Sequence, residues 1–263
     1  MKRNRDRTYS AIACITGAAL LGAGTFAKSA VAQQASPQQW EFYVTPYLWF
    51  SGVSGTLKSL NRNIPEQNVE ASFGNILSHL DAIPVMVSAE VRYGRFGLLT
   101  DIMAISVQSD IVTKNVLFTG GSANLTQVIG SALGTYRVLE SGRQSLDVGI
   151  GVRAFGMSTK FSLNPGLLPG FSISPSASWA DPIVGARYHI DLSPRWGLTA
   201  YADIGGGPNS QFTWQLLGSV DYRVASWVVM RIGYRNLRFQ YESDALRQNM
   251  EMSGPILGAT IQF

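Results

Sequence analysis

Residues Ser145–Gly156 read SLDVGIGVRAFG, and this stretch decides the fold class. Apolar residues occupy its even positions from 146 to 154, while Asp147, Arg153 and two glycines occupy the positions between them. A period of two residues places these two sets on opposite faces of a β-strand. The same alternation recurs in Trp214–Arg223 and Trp227–Arg235. These stretches therefore predict strands with one apolar and one polar face.

Turn-forming residues divide the rest of the chain into further strands of the same kind. Tight connections such as Gly94-Arg95 and Ala225-Ser226 alternate with generally longer ones such as Lys58–Asp81 and Ser162–Pro175. An even strand number with this alternation is typical of a transmembrane antiparallel up-and-down β-barrel whose short turns are periplasmic. We predict an all-β barrel of ten strands, with eight or twelve as alternative counts. The predicted strands are Trp40–Leu57, Ala82–Tyr93, Phe96–Gln108, Ala123–Leu139, Ser145–Phe161, Ser176–Ile190, Trp196–Gly205, Phe212–Val224, Trp227–Tyr241 and Asn249–Phe263.

Aromatic residues cluster at the predicted strand ends, as an interfacial girdle requires. The competing fold is a secreted soluble barrel of the lipocalin type, which has the same alternation with the faces reversed. The girdle and the loop asymmetry favour the membrane barrel. The predicted periplasmic girdle contains Trp40, Tyr93, Phe96, Tyr136, Tyr188, Trp196, Tyr222, Trp227 and Phe263, and the opposite belt contains Phe50, Trp179, Phe212, Trp214 and Phe239.

The first 32 residues are typical of a cleaved secretory signal. A basic start precedes a short apolar stretch, and Ala30-Val31-Ala32 follows as a cleavage site. The 263-residue chain carries 21 basic and 17 acidic residues, and residues 1–32 hold five of the former and one of the latter. Residues 33–263, the predicted single barrel domain, are therefore neutral, and we expect no nucleic-acid partner.

One cysteine and two histidines leave little material for a metal centre or a disulfide framework. Cys14 allows a lipoprotein as an alternative, but too few residues separate it from the basic start to form an apolar core. The carboxylates are spread over different strands rather than clustered as oxygen ligands. We therefore expect no metal and no cofactor.

The C-terminal residues Gly258–Phe263 resemble the assembly signal of outer-membrane barrel proteins, with Gly258, Ile261 and terminal Phe263 in the matching places. Ile256 departs from that pattern, which has a polar residue there. The chain from residue 33 onward resembles small porin-like and opacity-type outer-membrane barrels of proteobacteria. This resemblance implies a Gram-negative outer-membrane location, contact with outer-membrane lipid and lipopolysaccharide, assembly by the barrel-insertion machinery and no particular activity. We expect a monomer.

The polar face of each strand faces the lumen if the apolar face contacts lipid. Seven acidic and seven basic residues then lie inside, and buried charges persist only when they are paired or hydrated. The interior is either a structural ladder of ion pairs that fills the barrel, which we favour, or a narrow ion-lined pathway for solutes. The lumen set is Glu41, Glu90, Arg92, Asp101, Arg137, Asp147, Arg153, Asp181, Arg187, Asp203, Asp221, Arg223, Arg231 and Arg235.

Two other classes of function remain as alternatives. A lipid- or protein-modifying enzyme needs Ser, His and an acid together at the extracellular rim. His189 is at the wrong rim, and His79 is beside Ser78 and Asp81 in sequence only. We therefore predict no catalytic residues.

A surface adhesin acting through the long loops is the other alternative. Leu167, Leu168 and Phe171 are its candidate contact residues, in a loop stiffened by proline. Ser72 is a possible N-cap for a short amphipathic helix in the first long loop, which we expect to pack on the barrel mouth or against the bilayer interface.

Overall fold

Antiparallel strands dominate the computed structural model, which describes residues 39–59, 66–81, 84–111, 118–174, 176–207, 210–243 and 246–263. Within these ranges there are thirteen strands and one helix, α1 (Phe73–Ser78), between β3 and β4. The predicted signal, residues 1–32, lies outside them. The strands are β1 (Trp40–Trp49), β2 (Gly52–Ser59), β3 (Gln67–Ala71), β4 (Val85–Tyr93), β5 (Phe96–Ile111), β6 (Phe118–Ser141), β7 (Gln144–Pro165), β8 (Phe171–Ile173), β9 (Ser176–Asp191), β10 (Trp196–Gly207), β11 (Ser210–Ala225), β12 (Val228–Glu242) and β13 (Leu246–Gln262).

Ten of these strands form a closed barrel. The order around it is β1-β4-β5-β6-β7-β9-β10-β11-β12-β13, and β13 pairs with β1 to close the ring. Every pairing is antiparallel. The predicted fold class and the count of ten are therefore confirmed.

The predicted first strand, Trp40–Leu57, is divided into β1 and β2, which both pair with β13. Trp49 pairs with Ile256 and Gly52 with Ser253, so the register along β13 does not change across the division. The Phe50 N–H donates to the Pro255 carbonyl over 2.9 Å. Proline has no N–H to donate in return, which explains the interruption in the ladder.

The two ends of the barrel differ as predicted. One end, the short-turn end, carries the tight connections and both ends of the described chain. Gly94 and Gly142 occupy the first central position of two-residue turns with φ of 56° and 54°, the arrangement of a type II′ hairpin turn. The other end, the long-loop end, carries β2, β3, α1 and β8.

The outer face of the barrel is apolar. Ile150, Ile232 and Leu216 are 73%, 61% and 53% exposed. On β7, Asp147 and Arg153 point inward and are buried. This orientation is the reverse of that in a soluble lipocalin-type barrel, so the soluble alternative is wrong.

Aromatic rings pair along the short-turn end. The ring centroids of Trp40 and Tyr93 are 4.9 Å apart. Those of Phe96 and Tyr136 are 5.2 Å apart, and those of Trp196 and Tyr222 are 4.7 Å apart. The aromatic cluster predicted for this end is therefore present on the barrel.

The predicted belt at the long-loop end is partly wrong. Phe212 is exposed on the outer face, but Trp179 and Phe239 are buried inside the barrel. Trp179 is two residues before Asp181 and Phe239 is four residues after Arg235, so each shares the inward face of its strand. Their inward direction follows from the alternation of side chains along each strand, so it could have been predicted from the sequence.

The described part of the first long loop contacts the ends of neighbouring strands. Helix α1 begins after Ser72, whose Oγ accepts a hydrogen bond from the Asn75 N–H, as predicted. Phe73 packs edge-on against Phe50 with centroids 5.0 Å apart. After the helix, His79 and Asp81 exchange backbone hydrogen bonds with the end of β5. No helix in the described part of the chain is long and apolar enough to cross a membrane.

Candidate functional site

The long-loop half of the lumen is filled by large apolar side chains, which we call the outer plug. Phe155 stacks on Trp179 with centroids 4.8 Å apart and an angle of 14° between the ring planes, and Phe239 lies 4.8 Å from Phe155. The charge pattern did not indicate this layer, although its members alternate in phase with the lumen charges. The outer plug consists of Trp49, Met86, Met103, Ile129, Phe155, Trp179, Leu237, Phe239, Met250, Met252 and Ile256.

Below the outer plug, one ion-pair cluster joins opposite walls of the barrel. Arg187 on β9 holds Glu90 on β4 through two hydrogen bonds of 2.6 and 2.7 Å. Arg92 donates to Glu90 and to Asp147, over 2.7 and 2.8 Å. Arg137 adds a bond of 2.9 Å to Asp147. The structure thus brings together five residues of the predicted lumen set.

A second cluster lies directly against the outer plug. Arg235 Nη2 is 2.9 Å from Asp101 Oδ1, and its Nη1 donates to the Tyr47 hydroxyl over 2.7 Å. Gln215 Oε1 accepts from the same guanidinium over 2.7 Å. The Arg235 guanidinium carbon is 4.8 Å from the centre of the Trp49 ring, a cation–π contact. Tyr47 and Gln215 are uncharged members that the charge pattern did not identify.

Arg153 and Asp203 form a third, fully buried pair, with Nη2 and Oδ2 2.6 Å apart. Asp181 is paired with Arg153 in the strand register, yet neither of its carboxylate oxygens has a hydrogen-bond partner among the described residues. Glu41 accepts a hydrogen bond from the Tyr43 hydroxyl over 2.7 Å rather than from an arginine. The predicted ladder therefore pairs most of its members but not all of them.

The short-turn half of the lumen contains a cavity of about 280 Å³, which we call the vestibule. Arg231 and Arg223 line it, and both also line an adjoining cavity of about 40 Å³. The shortest carboxylate contact of Arg231 is 3.5 Å, to Asp221, and that of Arg223 is 3.9 Å, to Asp191. These two are the most weakly paired arginines of the predicted lumen set.

Solved structures with this architecture are outer-membrane proteins. The outer membrane protease OmpT from Escherichia coli superposes with a TM-score of 0.61 at 8% identity, over 86% of this chain and 98% of that one. The chain has the fold of an outer-membrane β-barrel. At such identity the likeness concerns the fold alone.

Two further matches have lower scores. The translocator domain of autotransporter NalP from Neisseria meningitidis gives a TM-score of 0.44 at 14% identity, over 86% of this chain and 89% of that domain. The attachment invasion locus protein Ail of Yersinia pestis gives 0.34 at 14% identity, over 86% and 99%. No protein-family model and no curated sequence matches the chain.

Each histidine of this barrel lies beside a hydroxyl group, and His189 Nε2 is also 3.4 Å from Asp191 Oδ1. His79 Nδ1 is 3.0 Å from Ser78 Oγ and 2.8 Å from the Asn75 carbonyl, but Asp81 accepts a hydrogen bond from Asn124 instead. His189 lies near the short-turn end, 2.9 Å from Thr199 Oγ1. In the described ranges, no three His, Cys, Asp or Glu side chains are grouped as metal ligands.

The predicted loop contact residues lie on the surface at the long-loop end. Leu167, Leu168 and Phe171 are all exposed, with Leu167 at 74%. Strand β8 pairs with the end of β7 and supports this loop. At the same end of the barrel, but on β13 and β12, Arg247 hydrogen-bonds to Glu242 and lowers the pKa of that carboxyl.

The predicted assembly residues lie at the seam where the barrel closes. Gly258 pairs with Tyr47 on β1 and with Arg231 on β12. A Cβ added at Gly258 would lie 2.9 Å from the Tyr47 Cβ, closer than real Cβ atoms approach one another. Phe263, just after the last strand, is exposed with the short-turn aromatics. The seam therefore requires a residue without a side chain at position 258.

Proposed function

We propose that this protein is a closed, non-conducting outer-membrane barrel that serves as a structural platform for its long loops. The outer plug carries the proposal. Phe155, Phe239 and Leu237 are each 3% exposed or less, although they project into the lumen rather than into a protein core. Since interiors packed in this way leave few voids larger than a water molecule, the plug leaves no route for a hydrated solute.

The ion pairs beneath the plug support the same proposal. Arg153, Arg92 and Arg235 are almost completely buried, and each makes hydrogen bonds to groups on other strands. Releasing one of them to open a path would leave a buried charge without its partner, which costs about 3–5 kcal/mol. The structural ladder is therefore favoured over the narrow pathway.

Planar-bilayer recording on refolded protein tests the proposal, with a general porin as the positive control. We expect no unit conductance steps from the folded, heat-modifiable form. Proteoliposomes should likewise show no solute-dependent swelling. Reproducible steps or swelling with the wild-type protein would establish a pathway and overturn the proposal.

We further propose that the barrel is a monomer in the outer membrane, with the short-turn end in the periplasm and lipopolysaccharide around the long-loop end. The apolar exterior, the aromatic pairs and the glycine at the seam support insertion by the barrel-assembly machinery. Protease digestion of intact cells should cut only the long loops. Cleavage at the short turns in intact cells would contradict this orientation.

We propose no catalytic role for the protein. The supporting geometry is the Asp81 carboxylate, which binds Asn124 rather than orienting the imidazole of His79. Replacing His79 with alanine should leave the lipid A and phospholipid profiles unchanged. A profile that depends on His79 would favour the enzyme alternative.

Adhesion through the long loops is a second candidate function. The exposed apolar residues Leu167 and Leu168 favour it. Deleting Leu167–Phe171 should abolish attachment of expressing cells to a host-cell or abiotic surface, while the double substitution Lys58→Ser/Arg247→Ser elsewhere on the rim should not. Unchanged attachment after the deletion would exclude this loop as the contact site.

A further inference from the structure

The vestibule walls contain more positive charge than their carboxylates neutralise. Glu90 is held by Arg187 and Arg92, and Asp101 by Arg235, all within 3.2 Å. The two acids of the wall are therefore already paired. Arg231 and Arg223 line the same space, and their nearest carboxylates are 3.5 and 3.9 Å away.

Asp221, the nearest acid to Arg231, is satisfied by other groups. Its Oδ2 accepts a hydrogen bond of 2.6 Å from Thr199, and its Oδ1 accepts one of 2.8 Å from Ser219. Arg231 Nε lies 3.5 Å from Oδ1, beyond the usual length of a hydrogen bond. That nitrogen is buried without a hydrogen-bond partner among the described residues. The Asp221 carboxylate therefore does not satisfy all the donors of the Arg231 guanidinium.

Arg223 is the second cation of the same corner. Arg231 pairs with Asp221 in the β11–β12 register, and Arg223 follows Asp221 by two residues on the same face. Such diagonal neighbours are within reach of each other when their side chains are long. Both guanidiniums line the vestibule and the smaller cavity beside it, whose lining also includes Asp191 and Asp221, so an anion that contacts both would lie on the vestibule side.

We propose that the vestibule is a binding site for a small oxyanion, with Arg231 and Arg223 as its ligating residues. Guanidinium groups bind carboxylate and phosphate oxygens through paired hydrogen bonds. The vestibule has about twice the volume of the ~150 Å³ cavity that accommodates benzene. It therefore has room for inorganic phosphate or a short dicarboxylate, entering from the short-turn end.

Calorimetric titration of refolded protein in a non-ionic detergent tests this site, with inorganic phosphate and succinate as separate probes. We expect saturable binding of at least one probe, weakened tenfold or more by Arg231→Gln and also weakened by Arg223→Gln. Arg143→Gln is the matched control, because Arg143 lies in the exposed turn between β6 and β7 and does not line the vestibule. The Arg143→Gln variant should bind the probe with the same affinity as the wild type.

A second variant keeps all the charged residues of the vestibule and fills part of its volume. Ser145 lines the vestibule, and Ser145→Trp should abolish binding while the barrel stays heat-modifiable. Absence of saturable binding at millimolar concentrations of both probes would overturn the proposal. Equal weakening by Arg143→Gln and Arg231→Gln would also overturn it, because it would indicate a general charge effect. Because the calorimetric titration does not measure conductance, its result is independent of the test of the closed-barrel proposal.

Discussion

Arg187 and Glu90 connect opposite walls of the barrel through two parallel hydrogen bonds of 2.6 and 2.7 Å. Their strands, β9 and β4, are separated by β5, β6 and β7 along the shorter way around the ring. A bidentate pair of this kind fixes distance and orientation together. The lumen charges therefore combine pairs between neighbouring strands, such as Arg137 with Asp147, with braces between distant strands, such as Arg187 with Glu90.

Removing one side of this brace should strongly destabilise the barrel. Glu90→Ala leaves Arg187 and Arg92 to share Asp147, and breaking a buried pair costs about 3–5 kcal/mol. Urea titration of the lipid-inserted protein measures the loss. Glu140→Ala removes an exposed acid of β6 and should change the unfolding free energy by less than about 0.5 kcal/mol. Equal effects of the two substitutions would show that the brace is not stabilising.

The outer plug should behave as a packed core. Leu237 is completely buried within it, whereas Leu167 is exposed in the loop between β7 and β8. Leu237→Ala should lower the unfolding free energy by about 2–5 kcal/mol because it leaves a cavity. Leu167→Ala should change it by less than about 0.5 kcal/mol. The same urea titration compares the two variants, and a small effect at Leu237 would show that the plug is loosely packed.

The free-energy cost of a charge on the apolar exterior should depend on its depth in the bilayer. Ile150 lies in the middle of the apolar stretch of β7, and Val224 lies beside the short-turn aromatics. Ile150→Lys should cost about 2–4 kcal/mol, and Val224→Lys about 0–1 kcal/mol. Folding of both variants into vesicles, followed by urea titration, measures the difference. Equal costs would mean that Ile150 does not face hydrocarbon.

A side chain at Gly258 should prevent the barrel from closing. Gly258→Val brings its Cβ against Tyr47 at the seam between β13 and β1. We expect the heat-modifiable folded form to be lost or strongly reduced on unheated gels. Ala259→Val creates the same side chain on the opposite face of β13 and should fold normally. Normal folding of Gly258→Val would show that the seam can widen.

The faces of the strands could be predicted because they depend on local geometry. Asp147 and Arg153 alternate with apolar neighbours, and the pleat alone sends them inward. Phe155 and Phe239 have the same phase, so their inward direction was equally predictable. The prediction that Phe239 belongs to the belt at the long-loop end was wrong because it used only the position of the residue along its strand. It did not use the alternation of side chains between the two faces of the strand.

The partners of the lumen charges could not be predicted in the same way. Glu90 and Arg187 are 97 residues apart, and Arg235 and Asp101 are 134 apart. Whether two inward residues face each other depends on the stagger and tilt with which the barrel closes. A change in the stagger of the barrel would leave the faces unchanged and alter the pairs between distant strands.

The amino-acid sequence by itself determined the strands, their two faces, the turns at Gly94 and Gly142, and the glycine at the seam, because these depend on alternation and on local backbone freedom. The tertiary structure alone decided which charges meet across the lumen, how the outer plug packs, and that Arg231 and Arg223 lie 3.5 and 3.9 Å from their nearest carboxylates. These features arise from strands distant in sequence, and their geometry exists only after the ring has closed.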